Sequence, residues 1–280
     1  MCEINRLPLT RAAATIADLF GVERPALSEE PLMFVEDAVR DLCRKPFDRL
    51  FIQNPDCMAQ WMMNKYPDAM YPVQKLTQIT VPFRSVMPSV TPVNFGTIYT
   101  GAMPEVHGIT EYRKPVITID SLFDSMIRAG KRIALLGQKS CSMSNIWLER
   151  DMDYFVIESE GERAEKVRDL IIEDKHDVIV VWTGKYDTYD HKYGPEDPHS
   201  VAAFYQQGQL FEYFVDTIKR NWQDHNTLIG FMSDHGCHAV EPTEENKMHK
   251  GDHGTDSPLD LNVVHYYGVV MEKEQKKCFI

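Results

Sequence analysis

The sequence has no apolar run near the ~18 to 20 residues that a helix needs to cross a bilayer. Its start, Met-Cys-Glu-Ile-Asn-Arg, lacks a basic segment followed by an apolar one. Neither a membrane span nor a secretory leader is expected, and a cytoplasmic protein is. The six cysteines (Cys2, Cys43, Cys57, Cys141, Cys237, Cys278) are scattered and form no CxxC pair, so neither a disulfide framework nor a cysteine zinc knuckle is indicated. A surplus of positive charge is also missing. With 42 acidic against 30 basic residues the formal net charge is −12, which excludes a sequence-independent grip on nucleic acid, since that grip comes from Lys and Arg neutralising phosphates. A phosphate-bearing substrate would need a local positive centre, and bound divalent cations are the means open to an acidic protein. No repeat, low-complexity tract or Pro/Gly/Ser linker divides the chain, so residues 1–280 read as a single domain.

Apolar, β-branched runs alternate with amphipathic ones, a pattern that builds an α/β fold: a mostly parallel central sheet flanked by helices on both faces. Strands are expected at Arg49–Asn54, Arg132–Leu136, Tyr154–Glu158, Val178–Trp182, Thr227–Met232 and Val263–Val270. Val178–Trp182 is apolar almost throughout, as a strand buried on both faces requires. Ser121–Ala129 reads as a helix capped by Asp120 and closed by Gly130, Glu162–Glu173 as a second, and Ser200–Trp222 as a third with Phe204, Phe211, Val215, Ile218 and Trp222 on one stripe. Gly184–Pro198 and His235–Asp260 are polar and turn-rich and read as loops.

Those loops carry the chemistry. Asp56 follows Arg49–Asn54, Asp187 and His191 follow Val178–Trp182, and Asp234 and His235 follow Thr227–Met232. Thr91 lies in Met87-Pro88-Ser89-Val90-Thr91-Pro92-Val93-Asn94, before a helix expected from about Asn94 to Thr100. If the strands are neighbours, these groups converge on one rim, where open α/β sheets bind ligands. Carboxylates and imidazoles are ordinary ligands of Zn²⁺ and related ions, and a metal can activate a threonine hydroxyl that is otherwise a poor nucleophile. A helix N-terminus beyond Thr91 would add N–H groups facing an anionic oxygen. Plainer roles exist for several of these residues: Thr91 and Asn94 as helix caps, Asp56 as the cap of a helix beginning at Met58, Asp187 and His191 as solvated loop residues. His238 and His249 share a loop with His253 and compete with it as a ligand, and Cys57 and Cys237 read as supporting thiols or small buried fillers.

The run Pro88-Ser89-x-Thr91-x-x-Asn94, then Thr100-Gly101-x-x-Pro104-x-x-His107-Gly108-Ile109, resembles the nucleophile segment of the alkaline phosphatase superfamily, in its type I phosphodiesterase/nucleotide pyrophosphatase branch. Asp187-x-x-x-His191-x-x-Gly194-Pro195, Ser233-Asp234-His235-Gly236 and Gly251-Asp252-His253-Gly254 resemble its metal segments, in the same order. The resemblance implies two divalent ions, zinc or manganese. Asp187, His191 and His253 would hold one; Asp56, Asp234, His235 and Thr91 the other. It further implies attack by Thr91 on a small phosphate-containing substrate, a phospho-threonine intermediate, and a hydrogen bond from Asn94 to a phosphoryl oxygen, with His107 orienting the loop. The family's first metal-binding Asp is usually followed by Gly, and here Cys57 follows Asp56. Larger members carry a cap, for which 280 residues leave little room, so a small, cap-less member is expected. Phosphonoacetate hydrolases resemble the segment as well, which keeps C–P hydrolysis as an alternative beside a non-catalytic metal- or nucleotide-binding protein. A sulfatase is disfavoured by the absence of a Cys/Ser-x-Pro-x-Arg segment. The sequence leaves the substrate, the metal and the oligomeric state open.

Overall fold

A computed structural model describes residues 3–243 and 247–273; Cys2 and Cys278 lie outside them. Ten strands are present among these residues: β1 (Leu7–Pro8), β2 (Arg49–Pro55), β3 (Ile79–Arg84), β4 (Ile133–Gly137), β5 (Asp153–Val156), β6 (Val178–Thr183), β7 (Thr227–Met232), β8 (His238–Ala239), β9 (Gly251–Asp252) and β10 (Asn262–Val270). Eight form the central sheet in the order β1-β3-β10-β7-β2-β6-β4-β5, and β8 pairs with β9 beside it. Within the large sheet only β10 runs against its neighbours β3 and β7; the other pairs are parallel.

β2, β6 and β7 are buried along nearly their whole length, as their apolar sequences demand of strands covered on both faces. One hydrophobic cluster, including Phe83, Phe95, Tyr99, Phe123 and Trp147, lies on one side of the sheet. A second, including Phe51, Phe204, Phe211, Phe214 and Trp222, lies on the other. The helix Pro198–Asn221 contributes most to the second, because the spacing of Phe204, Phe211, Phe214, Val215 and Ile218 puts them on one face. No helix among the described residues is long and apolar enough to cross a membrane.

Three sequence expectations are corrected, and one strand is added. The stretch read as a loop over His235–Asp260 contains β8, β9 and most of the short helix Pro258–Leu261, and the stretch read as a loop from Gly184 is helical over Lys185–Tyr193. Its inward face is polar, so no apolar stripe announces it. The helix Leu122–Arg128 is capped by Ser121 rather than Asp120: the Ser121 hydroxyl accepts from the Asp124 amide and the Asp124 carboxylate accepts from the Ser121 amide, a capping box. Asp120 instead pairs with Arg128. Strand β3, not expected from the sequence, carries Pro82 and alternates buried with exposed residues; its missing N–H disguises a strand that nevertheless fills the sheet between β1 and β10. A helix buried almost all round, Ala12–Phe20, and an amphipathic one, Met33–Leu42, also precede β2.

The topology puts the chemistry on one rim. Parallel register aligns Pro55 with Thr183 and Gln53 with Phe231, so the chain leaves β2, β6 and β7 at the same edge. β3, separated from β7 by the antiparallel β10, ends there too. It delivers the segment leading to Thr91.

Candidate active site

Asp56, Asp234 and His235 come together directly beyond β2 and β7, all buried, with one ligand atom from each lying within 4.8 Å of the others. The Nε2 atom of His235 is 3.3 Å from Asp56 Oδ1 and 3.3 Å from Asp234 Oδ2. Thr91 is the first residue of the helix Thr91–Thr100. Its hydroxyl sits 3.1 Å from His235 Nε2 and 3.4 Å from Asp56 Oδ1, so it points into this triad and caps nothing. Asp56 likewise caps no helix: Ala59 precedes the helix Gln60–Lys65, which has no side-chain cap.

Asp187, His191 and His253 form a second triad of the same tightness. Asp187 and His191 are four residues apart on one helix, so their side chains share a face, and the Nε2 atom of His191 is 3.5 Å from Asp187 Oδ1. The Nε2 atoms of His253 and His191 are 3.2 Å apart. The His235 and His253 rings, with centroids 4.0 Å apart, join the two triads. The inner triad is sealed; the outer one is partly open, with a third of the His191 side chain exposed.

The tautomers follow from the partners. Each Nδ1 faces a backbone carbonyl: His191 that of Gly251 at 3.1 Å, His235 that of Gly236 at 3.0 Å, His253 that of Ser89 at 3.1 Å. A carbonyl only accepts, so Nδ1 carries the hydrogen in all three and Nε2 presents a lone pair. Burial pushes the imidazoles of His235 and His253 down to about 3, which keeps them neutral. Two lone pairs 3.2 Å apart repel unless a cation shares them. Asp187 Oδ1 and Asp234 Oδ2 are buried and find no hydrogen-bond donor. Burial, then the charges of Asp234 and Asp187, hold the Asp56 carboxyl well above its ordinary range; burial does the same to Asp234. Orphaned carboxylate oxygens and bare imidazole nitrogens are the donor set of a divalent ion, and these residues fit one in each triad.

The other candidates stay outside the two triads, although His249 joins His191 and Asp252 in a further group whose ligand atoms lie within 4.8 Å of one another. His238 bonds Asp260 at 2.8 Å and His249 bonds Asp252 at 3.2 Å while stacking on the His191 ring. His107 is buried against Gly96, where a Cβ would come within 2.8 Å of its ring. Thr97 and the Ile109 amide hold its two nitrogens. Asn94 corrects its expectation. Its Oδ1 accepts from the Val86 amide at 2.8 Å, and its Nδ2 donates among the carbonyls of Val86, Pro88 and Val90 at 3.2 to 3.4 Å. The fully buried amide is spent on shaping the turn that presents Thr91, leaving no N–H for a substrate oxygen.

One supporting residue carried no signal in the sequence. The indole N–H of Trp182, at the end of β6, donates to Asp56 Oδ2 at 2.9 Å, leaving Oδ1 to face Thr91 and His235. An apolar strand residue gives no hint of this, because only strand register puts it beside Asp56.

A family model described as type I phosphodiesterase/nucleotide pyrophosphatase matches residues 55–128 and 134–273, a span that takes in both triads and Thr91. The chain belongs to that family. Family membership places it among phosphoester hydrolases, a group typically dependent on divalent metals. Two solved structures of murine ectonucleotide pyrophosphatase/phosphodiesterase 5 share its fold, each with a TM-score of 0.62 and coverage of 79% of this chain and 88% of the murine one. One, an inactive variant in complex with AMP, is 12% identical in sequence and the other 13%. No curated protein matches the sequence at a significant level.

Proposed function

We propose that the chain is a two-metal phosphoester hydrolase of one catalytic domain, with Thr91 as nucleophile and a small, nucleotide-like phosphoester as substrate. The observation that carries this is the Thr91 hydroxyl, set at the edge of the Asp56, Asp234 and His235 triad on the first turn of a helix. Asp56, Asp234 and His235 would hold one divalent ion together with Thr91; Asp187, His191 and His253 would hold the other. Bound there, the pair supplies positive charge that lowers the pKa of the hydroxyl and offsets charge on the phosphoryl oxygens.

The remaining steps are the chain's own. Thr91 Oγ attacks phosphorus in line, the P–O bond to the leaving group breaks, and the phosphoryl group rests on Thr91 until water displaces it. Thr91 loses its proton at Oγ, beside Asp56 Oδ1. Pro92 has no N–H, so the amides of Thr91 and Val93 are the donors that the helix start offers to a phosphoryl oxygen. The partly open outer triad is the side from which substrate enters. The AMP held by the murine structure supports a nucleotide-like leaving or transferred group.

Zinc- or manganese-loaded protein should hydrolyse a nitrophenyl phosphodiester or monoester. Thr91→Ala should lose on the order of 10³-fold or more of kcat, and Thr91→Ser should keep part of it. Equal turnover by wild type and Thr91→Ala overturns the assignment. Phosphonoacetate in the same panel, read by inorganic phosphate release, tests the C–P alternative.

A further inference from the structure

Beneath the rim lies a third cluster that phosphoester cleavage does not use. Cys57, Asp190 and Cys237 are fully buried, and the two sulfurs and one Asp190 oxygen lie within 4.8 Å of one another. Neither Asp190 oxygen makes a hydrogen bond of regular geometry, although the Cys237 thiol is near enough to interact with it. A buried polar side chain without a partner is costly. No Lys, Arg or His is paired with Asp190 among the described residues, and Gly251 packs so close that a Cβ there would fall 2.5 Å from its backbone oxygen.

The backbone at Cys57 is also unusual for a residue with a side chain. Its φ is +68°, in the left-handed region that glycine adopts freely and other residues adopt at a cost. Retaining a cysteine there directs Sγ toward Gly236, whose carbonyl is 3.7 Å away, and into the cluster.

We infer that Cys57, Cys237 and Asp190 form a third metal site, distinct in chemistry from the two Asp/His triads and selective for a thiolate-preferring divalent ion such as Zn²⁺. Two thiolates and a carboxylate suit a soft to borderline ion, whereas the rim triads contain no sulfur. The Gly236 carbonyl, 3.7 Å from Cys57 Sγ, and the Tyr186 hydroxyl, 3.4 Å from Cys237 Sγ, border the sulfurs. The two thiol protons leave to solvent as the ion enters. Full enclosure marks the site as structural. Each of its residues adjoins a proposed rim ligand in sequence: Cys57 follows Asp56, Asp190 precedes His191, and Cys237 lies two beyond His235. One ion would therefore pin the three segments that position the rim.

The test is cobalt substitution of the full chain, with metal analysis after desalting. Wild type should bind one ion beyond the rim pair and show a thiolate-to-cobalt charge-transfer band in the near ultraviolet. Cys57→Ser/Cys237→Ser should bind one ion fewer and lose the band, and Asp190→Asn should shift it. His253→Ala should lose a rim ion and keep the band. Cobalt-loaded wild type without the band overturns the inference, as does a band that survives the double substitution or a mass showing Cys57 and Cys237 joined as a disulfide. The wild-type spectrum decides the matter even if a variant fails to fold. A band in a chain that hydrolyses no ester would leave this site standing and count only against the proposed activity.

Discussion

Replacing Trp182 with Phe keeps a buried aromatic ring and deletes one N–H, the donor to Asp56 Oδ2. That bond fixes which oxygen of Asp56 faces Thr91 and His235, and it is the indole's contribution to any ion held there. A hydrogen bond to a charged partner contributes about 1.5 to 3 kcal/mol. Loss of an outer partner of a metal ligand weakens affinity by about 10 to 100-fold, which is about 1.4 to 2.8 kcal/mol. The two routes agree. Chelator competition at neutral pH should therefore show one of the two rim ions released about 10 to 100-fold more easily from Trp182→Phe, with the other unchanged. The smaller ring also leaves space beside Arg163, whose guanidinium lies 5.4 Å from the Trp182 ring centre. Thermal unfolding of the metal-free proteins separates this packing loss from the effect on the metal. If Trp182→Phe holds both ions within about threefold of wild type, the indole does not position Asp56.

Asn94→Ala should lower stability by about 2 to 3 kcal/mol, because the buried Val86 amide and its neighbouring carbonyls lose their partner; urea denaturation should show a lower midpoint at unchanged slope, and intact stability with a selective loss of kcat would restore a substrate role. Gly251→Ala should drive a Cβ to within 2.5 Å of Asp190, costing about 1 to 3 kcal/mol and displacing the carbonyl that orients His191, so the outer triad should lose metal first. His265, fully buried with Nε2 bonded to the Ser233 carbonyl at 2.8 Å, has its pKa pushed down from 6.5 to about 4 by burial. The unfolded chain therefore binds the extra proton first as the pH falls. The stability that His265 supplies is complete above about pH 6.5 and is lost between there and pH 4, roughly 3 kcal/mol in all. Guanidinium titrations of wild type and His265→Gln across that range should show the smaller acid loss in the variant; parallel curves would contradict it.

What the sequence determined by itself was the class of fold and the identity of the groups at the rim. Strands such as β6 and β7 declare themselves because burial on both faces demands unbroken apolar runs. The acids and histidines after them stand out because polar residues in such number have no place in a core. The helix Lys185–Tyr193 stayed hidden for the converse reason: its inward face is Tyr186, Asp187, Asp190 and His191, polar because it faces the outer triad and the Cys57 and Cys237 cluster. Tertiary structure alone decided the rest. Strand register set Trp182 against Asp56, and the carbonyls of Ser89, Gly236 and Gly251 chose the tautomers that bare three Nε2 atoms. The turn from Val86 to Val90 absorbed the Asn94 amide. Cys57, Asp190 and Cys237, separated by up to 180 positions in the chain, met only because the strands that carry their segments lie side by side, a proximity that no local pattern encodes.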